Sequence, residues 1–167
     1  LSVDMDYGSM GLSDIHVKDG IELTSDFGGI QLQNCETTGS LTVKSRNGEV
    51  RATDTSFLNG DFSLSFGSLR IEDTGKNTAC QSLATYVENG STTLKEVTAA
   101  EKLECHSEFG EITLQNAASK NLLLRNENGA IRGTISGSQQ DYQILVETEF
   151  GSSSLSPKLT GHYLLDA

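Results

Sequence analysis

Eight glycines recur along the chain at intervals of 20, 20, 19, 23, 20, 19 and 22 residues. They are Gly8, Gly28, Gly48, Gly67, Gly90, Gly110, Gly129 and Gly151. Each glycine separates two short runs in which apolar and polar residues alternate. A fixed period of this size predicts a repeat architecture, in which each unit buries its apolar face only against its neighbours.

Apolar residues hold equivalent places in the repeats. In the repeat around Gly110, Leu103 and Cys105 precede the glycine by seven and five residues, and Ile112 and Leu114 follow it by two and four. Because alternate residues of a strand face opposite sides of a sheet, these positions are predicted to point inward. The residues between them are predicted to face water.

A second turn signal follows each of the first six glycines by six residues, and its members are Asp14, Asn34, Asp54, Asp73, Glu96 and Asn116. Aspartate and asparagine suit a turn because their side chains bond nearby backbone and tolerate the left-handed conformation. The next residue is small or apolar in each repeat, which indicates that the chain turns inward again.

These patterns favour an all-β, single-domain parallel β-solenoid over 1–167, with about eight rungs of roughly 20 residues. The predicted repeats are 1–19, 20–38, 39–58, 59–79, 80–100, 101–119, 120–141 and 142–167. An antiparallel sandwich or barrel is the alternative, since Asn-Gly between alternating runs is also a hairpin signal.

From the second repeat on, the residue before the glycine alternates between two types: Phe27, Asn47, Phe66, Asn89, Phe109, Asn128 and Phe150. A rung of about 20 residues would place phenylalanine and asparagine alternately in one column. A rung of about 40 residues would place them in separate stacks. The shorter rung is favoured because it needs fewer corners.

The chain carries a net charge of −11 and has a sequence pI near 4.6. Binding to nucleic acid depends on Lys and Arg, and is therefore not expected. Direct adhesion to anionic lipid is disfavoured for the same reason. The chain does not begin with Met and starts inside a repeat, so we expect a longer protein in which a membrane anchor lies outside this segment.

Few residues point to chemistry. Cys35, Cys80 and Cys105 include no CxxC pair, and His16, His106 and His162 lack ligand spacing, so no metal, cofactor or catalytic residue is predicted. Cys35 and Cys105 are expected in the core and Cys80 is expected to be more exposed. A weak Ca²⁺ site is a minor alternative for the early aspartates, which are Asp4, Asp6, Asp14 and Asp19.

No catalytic motif of a serine hydrolase occurs, and no glycine-rich turn precedes a predicted helix. β-Helical enzymes that act on polysaccharides need clustered carboxylates. The outward acids here are interspersed with Lys and Arg, which is typical of a solubilising surface; they are Glu22, Glu49, Asp61, Glu72, Glu108 and Glu111.

The final segment departs from the repeat. It contains Pro157, the only proline, which suits an edge because it donates no backbone hydrogen bond. Leu159, Tyr163, Leu164 and Leu165 are predicted to fold over the open end as a cap.

Repeat units such as 39–54 and 103–116 resemble DUF4097, a family of bacterial adhesin-like domains of unknown function, and the resemblance covers nearly the whole chain. It implies a β-solenoid of about 20-residue repeats, often behind a transmembrane anchor at the cell envelope. It implies no catalytic residues.

The hypothesis is therefore a non-catalytic, extracytoplasmic β-solenoid at a bacterial cell envelope, acting as an adhesin, spacer or interaction module towards a protein or glycan surface. It predicts no surface pocket where three or more ionisable side chains converge. The alternatives are a small carbohydrate-active enzyme on the same fold and a sensory module of an envelope-stress system.

Overall fold

The computed structural model describes residues 1–75, 80–136, 142–155 and 163–166, of which Leu155 and the last four are described by backbone alone. These residues form strands and turns with no helix among them. The chain is a single parallel β-solenoid of about seven turns, which confirms the predicted fold class.

Each early turn contributes a long strand, a short strand and a connecting segment. The long strands are β1 (Ser2–Tyr7), β4 (Gly20–Phe27), β7 (Ser40–Asn47), β9 (Asn59–Phe66) and β11 (Cys80–Asn89). The short strands are β2 (Met10–Ser13), β5 (Ile30–Gln33), β8 (Val50–Thr53), β10 (Leu69–Glu72) and β12 (Thr92–Lys95). The connecting segments carry β3 (His16–Val17) and β6 (Glu36–Thr37).

The later turns run with little interruption around the corners as β13 (Thr98–Ile135) and β14 (Gln143–Leu155), followed by β15 (Tyr163–Asp166). All strand pairs among the described residues are parallel, and the long strands stack in the order β1-β4-β7-β9-β11-β13. The short strands stack on a second face in the same way. The antiparallel alternative is therefore wrong.

The strand register decides the rung length. Phe27 pairs with Asn47, and Asn47 pairs with Phe66. Residues 20 and 19 positions apart thus lie on adjacent rungs, and phenylalanine and asparagine alternate within one column. The prediction of a rung of about 20 residues is confirmed over the 40-residue one.

The corner after each long strand depends on the absence of a side chain at glycine. Gly110 has φ +146°, and a Cβ built on it would lie 1.7 Å from the carbonyl oxygen of Gly90 in the rung below. The same close approach recurs from Gly28 to Gly151, at 1.5–2.1 Å. The glycine column lets successive rungs approach closely enough for their backbones to hydrogen-bond, as Gly90 N does to Phe109 O at 2.8 Å.

The second turn signal also lies at a corner, as predicted. Its six residues all have positive φ, between 48° and 57°. Side chains there bond from rung to rung: Asn34 donates to Asp14 at 2.6 Å and Asn116 donates to Glu96 at 2.7 Å. These hydrogen bonds help to offset the cost of the left-handed backbone.

The predicted inward positions form one continuous core. Ile112 and Leu114 are fully buried, as are Thr92 and Leu94 on one neighbouring rung and Ile131 on the other. The buried apolar residues of successive rungs pack against one another in a single cluster, from Met10 and Leu12 to Ile144 and Val146. The core is therefore built by stacking, since each rung contributes only a few of these side chains.

The end of the chain differs from the prediction. Through Leu155 the segment stays in register with the preceding rung, pairing with Gly133. Tyr163–Asp166 then adds a further parallel strand, in which Tyr163 pairs with Ile144. The predicted cap over the open end is thus wrong for Tyr163, Leu164 and Leu165, while Pro157 and Leu159 lie outside the described residues.

Three glycine-to-alanine variants separate the two reasons for glycine at the corner, which are its positive φ and the lack of space for a Cβ. Gly11→Ala meets no atom within 4 Å at an ordinary φ, and is expected to change stability by less than about 0.5 kcal/mol. Gly8→Ala has space but a φ of +115°, so backbone strain of roughly 1–2 kcal/mol is expected. Gly110→Ala adds a clash with the Gly90 carbonyl to this strain, so its loss of stability is expected to be clearly larger than that of Gly8→Ala. Urea denaturation of the three variants measures this order, and equal losses at Gly8 and Gly110 would contradict it.

Ile112→Asp tests the stacked core. The substitution buries an unpaired carboxylate at a position with no solvent exposure, so we expect a loss of about 3 kcal/mol or more. Gln115→Asp, on the exposed side of the same strand, is the matched control and should fall within about 0.5 kcal/mol of wild type. Chemical denaturation provides the comparison, and similar losses in both variants would show that the inward assignment is wrong.

Candidate functional site

A column of exposed aromatic side chains runs along the glycine corner. Its members are Tyr7 (77% exposed), Phe27 (44%), Phe66 (52%), Phe109 (52%) and Phe150 (74%). Each ring immediately precedes a corner glycine, where the chain leaves the first face, so the side chain projects from the corner and not into the core. We call these five residues the aromatic column.

Asparagine separates most rings of the aromatic column. The register places Asn47 between Phe27 and Phe66, and Asn89 between Phe66 and Phe109. Rings on alternate rungs are therefore about 9.6 Å apart along the rod, twice the interstrand spacing of a sheet. Only the first two rungs carry adjacent rings, and there Tyr7 and Phe27 stack with centroids 5.3 Å apart and planes 6° from parallel.

Carboxylates line both sides of this corner. In the eight repeats, the residue two places before the corner glycine and the residue directly after it together include eight acids and one Arg. The acids are Asp6, Asp26, Glu49, Glu88, Glu108, Glu111, Glu127 and Glu149, and the cation is Arg46. Three of the acids have a cation nearby: Arg46 lies 2.7 Å from Asp26, Arg132 lies 3.2 Å from Glu111, and Arg51 lies 3.9 Å from Glu49. The acids still outnumber these cations, so the corner as a whole is negative.

Four of the acids form a run that we call the glutamate column: Glu88, Glu108, Glu127 and Glu149. The register aligns Glu88 with Glu108 and Glu127 with Glu149 on adjacent rungs. Like charges directly opposite each other in a sheet are destabilising. Glu88 and Glu149 form no ion pair with another described residue.

Beside the glutamate column lies a surface groove of about 540 Å³ that contains five ionisable side chains. We call it the outer-face groove, and its ionisable residues are His106, Arg125, Glu127, Glu147 and Glu149. Within it, the Arg125 guanidinium lies 2.6 Å from Glu147, and His106 Nε2 lies 3.7 Å from Glu127. This convergence is not what the non-catalytic hypothesis predicted.

Tyr86 extends this cluster by one rung. Its ring packs edge-on against His106, with centroids 5.2 Å apart, and its hydroxyl donates to Glu108. The hydrogen bond to the carboxylate, together with burial and nearby acids, raises the pKa of Tyr86 to about 12. Tyr86 therefore stays protonated at neutral pH and serves as a hydrogen-bond donor to Glu108.

Sequence reasoning missed this cluster because its members are about 20 residues apart and share no motif. Tyr86, His106, Arg125 and Glu147 all precede a corner glycine by four residues. Comparing that position from repeat to repeat would have grouped them. In contrast, reading the chain linearly left His106 as an isolated histidine.

The other histidines do not gather. His16 lies on the connecting segment and pairs with Glu36 on the adjacent rung. Its Nε2 is 3.7 Å from the Glu36 carboxylate. His162 lies outside the described residues. Among the described residues no group of three or more potential ligands has metal-binding geometry. The early aspartates are spread over β1 and the following turns, and Asp14 accepts a hydrogen bond from Asn34.

The three cysteines are all buried and unpaired. Cys35 and Cys105 lie in the core, as predicted, but the expected exposure of Cys80 is wrong, since its side chain is fully buried where β11 begins. Burial raises the pKa of the thiols of Cys80 and Cys105 to about 12. Neither thiol forms a reactive thiolate at neutral pH.

Elsewhere on the outer faces, opposite charges pair as the mixed-surface interpretation predicted. Arg70 lies 2.7 Å from Glu72, and Lys95 lies 3.7 Å from the same carboxylate. The hydrogen bond from Arg70 lowers the pKa of Glu72. These pairs stabilise the surface and bring no reactive group together.

Comparison with protein-family profiles, with curated proteins and with solved structures gave no match to this chain. Within the described ranges there is no helix with the length and hydropathy of a membrane span.

The buried thiols predict how stability depends on pH. An unfolded cysteine has a pKa of about 8.5, whereas Cys80 and Cys105 keep their protons to about pH 12 in the folded protein. Above about pH 9 the unfolded chain therefore binds fewer protons than the folded protein. The free energy of unfolding then falls as pH rises, by at most ~1.4 kcal/mol per pH unit for each thiol.

Urea denaturation between pH 8 and pH 11 measures this slope. Cys105→Ala is expected to lower stability at pH 8 but to make the fall with pH shallower. Ser107→Ala, which removes a buried but non-titrating group from the same strand, should keep the wild-type slope. An identical slope in the Cys105 variant and in wild type would contradict the prediction.

Proposed function

We propose that this chain is a non-catalytic, extracytoplasmic β-solenoid that acts as an adhesin-like interaction module at a bacterial cell envelope. The resemblance of its repeats to DUF4097 supports the envelope location. The stacked rungs support a structural role, because they provide a rod whose sides repeat the same surface chemistry.

The aromatic column is the observation that carries the proposal. Aromatic rings are normally among the more buried side chains, and they are enriched where proteins bind partners. Here Phe66 and Phe109 are each 52% exposed, and the same corner presents a ring on five rungs. A surface that repeats along a rod is suited to a partner that extends along it.

A test of location uses the natural full-length gene product in its own bacterium. We expect an external protease or an antibody against the solenoid to reach the protein in intact or outer-membrane-permeabilised cells, while a cytoplasmic marker stays protected. Protection equal to that of the cytoplasmic marker would contradict the proposed location.

A carbohydrate-active enzyme is a second candidate, favoured by the outer-face groove. His106 and Glu127 there have the chemistry of an acid–base pair, although Arg125 and Glu147 are already engaged with each other. Incubation with a panel of uronic-acid polysaccharides is expected to give no unsaturated or newly reducing product. Product that disappears in the Glu127→Gln variant, and persists in the Glu22→Gln control, would establish the enzyme instead.

A further inference from the structure

The spacing of the aromatic column matches one kind of extended peptide. From Phe27 to Phe66, Phe109 and Phe150 the rings recur every second rung, or about 9.6 Å. A polyproline II helix rises about 3.1 Å per residue with three residues per turn, so every third side chain lies on one face about 9.3 Å apart. Over the three intervals the mismatch adds up to only about 1 Å.

A regular β-strand fits this column less well. Side chains on one face of a strand repeat every second residue, or about 6.6–6.8 Å, which falls between the one-rung and two-rung spacings. Aromatic surfaces are also the usual docking sites for polyproline II segments, because such segments need little further ordering on binding. The period of the column therefore favours a polyproline II partner.

The charge around the aromatic column indicates which side chains such a partner would carry. Eight carboxylates and one guanidinium flank the column, and the glutamate column stacks like charges on successive rungs. Cations are attracted both to carboxylates and to the faces of aromatic rings. A partner with Lys or Arg at every third position would meet a ring at each aromatic rung, and a carboxylate on that rung or, at Phe66, on the adjacent rungs of Glu49 and Glu88.

The same charges disfavour other occupants. A second copy of this chain would bring its own eight carboxylates against these, and the net charge of −11 adds to the repulsion. An acidic glycan or nucleic acid would be repelled for the same reason. A neutral glycan is not repelled, but it would leave the glutamate column without counter-charges.

We propose that the aromatic column is a docking track for a basic polyproline II segment of another protein, with Lys or Arg at every third residue. Each cation lies against a phenylalanine and near a carboxylate of the same or an adjacent rung. Asn47, Asn89 and Asn128 lie between the rings and hydrogen-bond the peptide backbone, which a polyproline II helix leaves free. This inference rests on the proposed interaction function and names its partner class.

Fluorescence anisotropy with labelled synthetic peptides tests the proposal. The probe is a peptide of repeated Lys-Pro-Pro triplets. A Lys-Gly-Ser repeat keeps the charge but not the polyproline II conformation, and a Glu-Pro-Pro repeat keeps the conformation but reverses the charge. We expect the Lys-Pro-Pro peptide to bind at least tenfold more tightly than either control, and its affinity to fall as salt is raised.

Matched variants show whether binding uses the aromatic column. Phe66→Ala with Phe109→Ala is expected to weaken binding roughly tenfold to 25-fold, because each ring contributes about threefold to fivefold. Glu108→Gln with Glu127→Gln should also weaken binding and reduce its salt dependence. Leu58→Ala and Glu22→Gln are exposed positions away from the corner, and should leave the affinity unchanged. Circular dichroism and urea denaturation confirm that the variants remain folded.

Several results would overturn the proposal. Equal binding of the Lys-Pro-Pro and Lys-Gly-Ser peptides would show that charge alone drives binding. Unchanged affinity in the phenylalanine variant would show that the aromatic column does not bind the peptide. Binding of a neutral β-linked oligosaccharide that depends on Phe66 and Phe109, without peptide binding, would replace the partner class but keep the interaction function. The protease test of location fails or succeeds independently of these peptide measurements.

Discussion

The fold depends on the close approach of one rung to the next at the glycine corner. A parallel sheet requires each strand to lie within hydrogen-bonding distance of its neighbour along its whole length, including where the chain turns. At this corner the carbonyl oxygen of Gly90 occupies the space that a Cβ on Gly110 would need. Because one position in each repeat has no side chain, all the remaining positions can stack in register.

In-register stacking has consequences for the surface. Each outward position becomes a column along the rod, so a single residue type repeated at one offset becomes a linear chemical feature. The aromatic column and the glutamate column both arise in this way, and so does the cluster of Tyr86, His106, Arg125 and Glu147. Functional surfaces of such a protein are therefore built by the stacking and not by local motifs.

Much of this was accessible from the sequence because a repeat supplies its own internal comparison. The period, the inward positions around Ile112 and the left-handed corner residues such as Asn116 follow from alternation and turn chemistry. The errors fall where the repeat is interrupted. Cys80 begins β11 next to a register shift, and its burial was missed; Tyr163–Asp166 continues the sheet, and the cap predicted there is absent from these residues.

The sequence by itself favoured a parallel solenoid over an antiparallel sandwich or barrel. It determined a glycine at one corner and an αL residue at another, because these depend on local backbone conformation and a fixed period. Only the tertiary structure decided that the rung is about 20 residues, and therefore that Phe27, Asn47 and Phe66 share one column. It also decided that His106 meets Tyr86 and Glu127. Both depend on the stacking register, which places residues about 20 apart in contact and has no local signature in the chain.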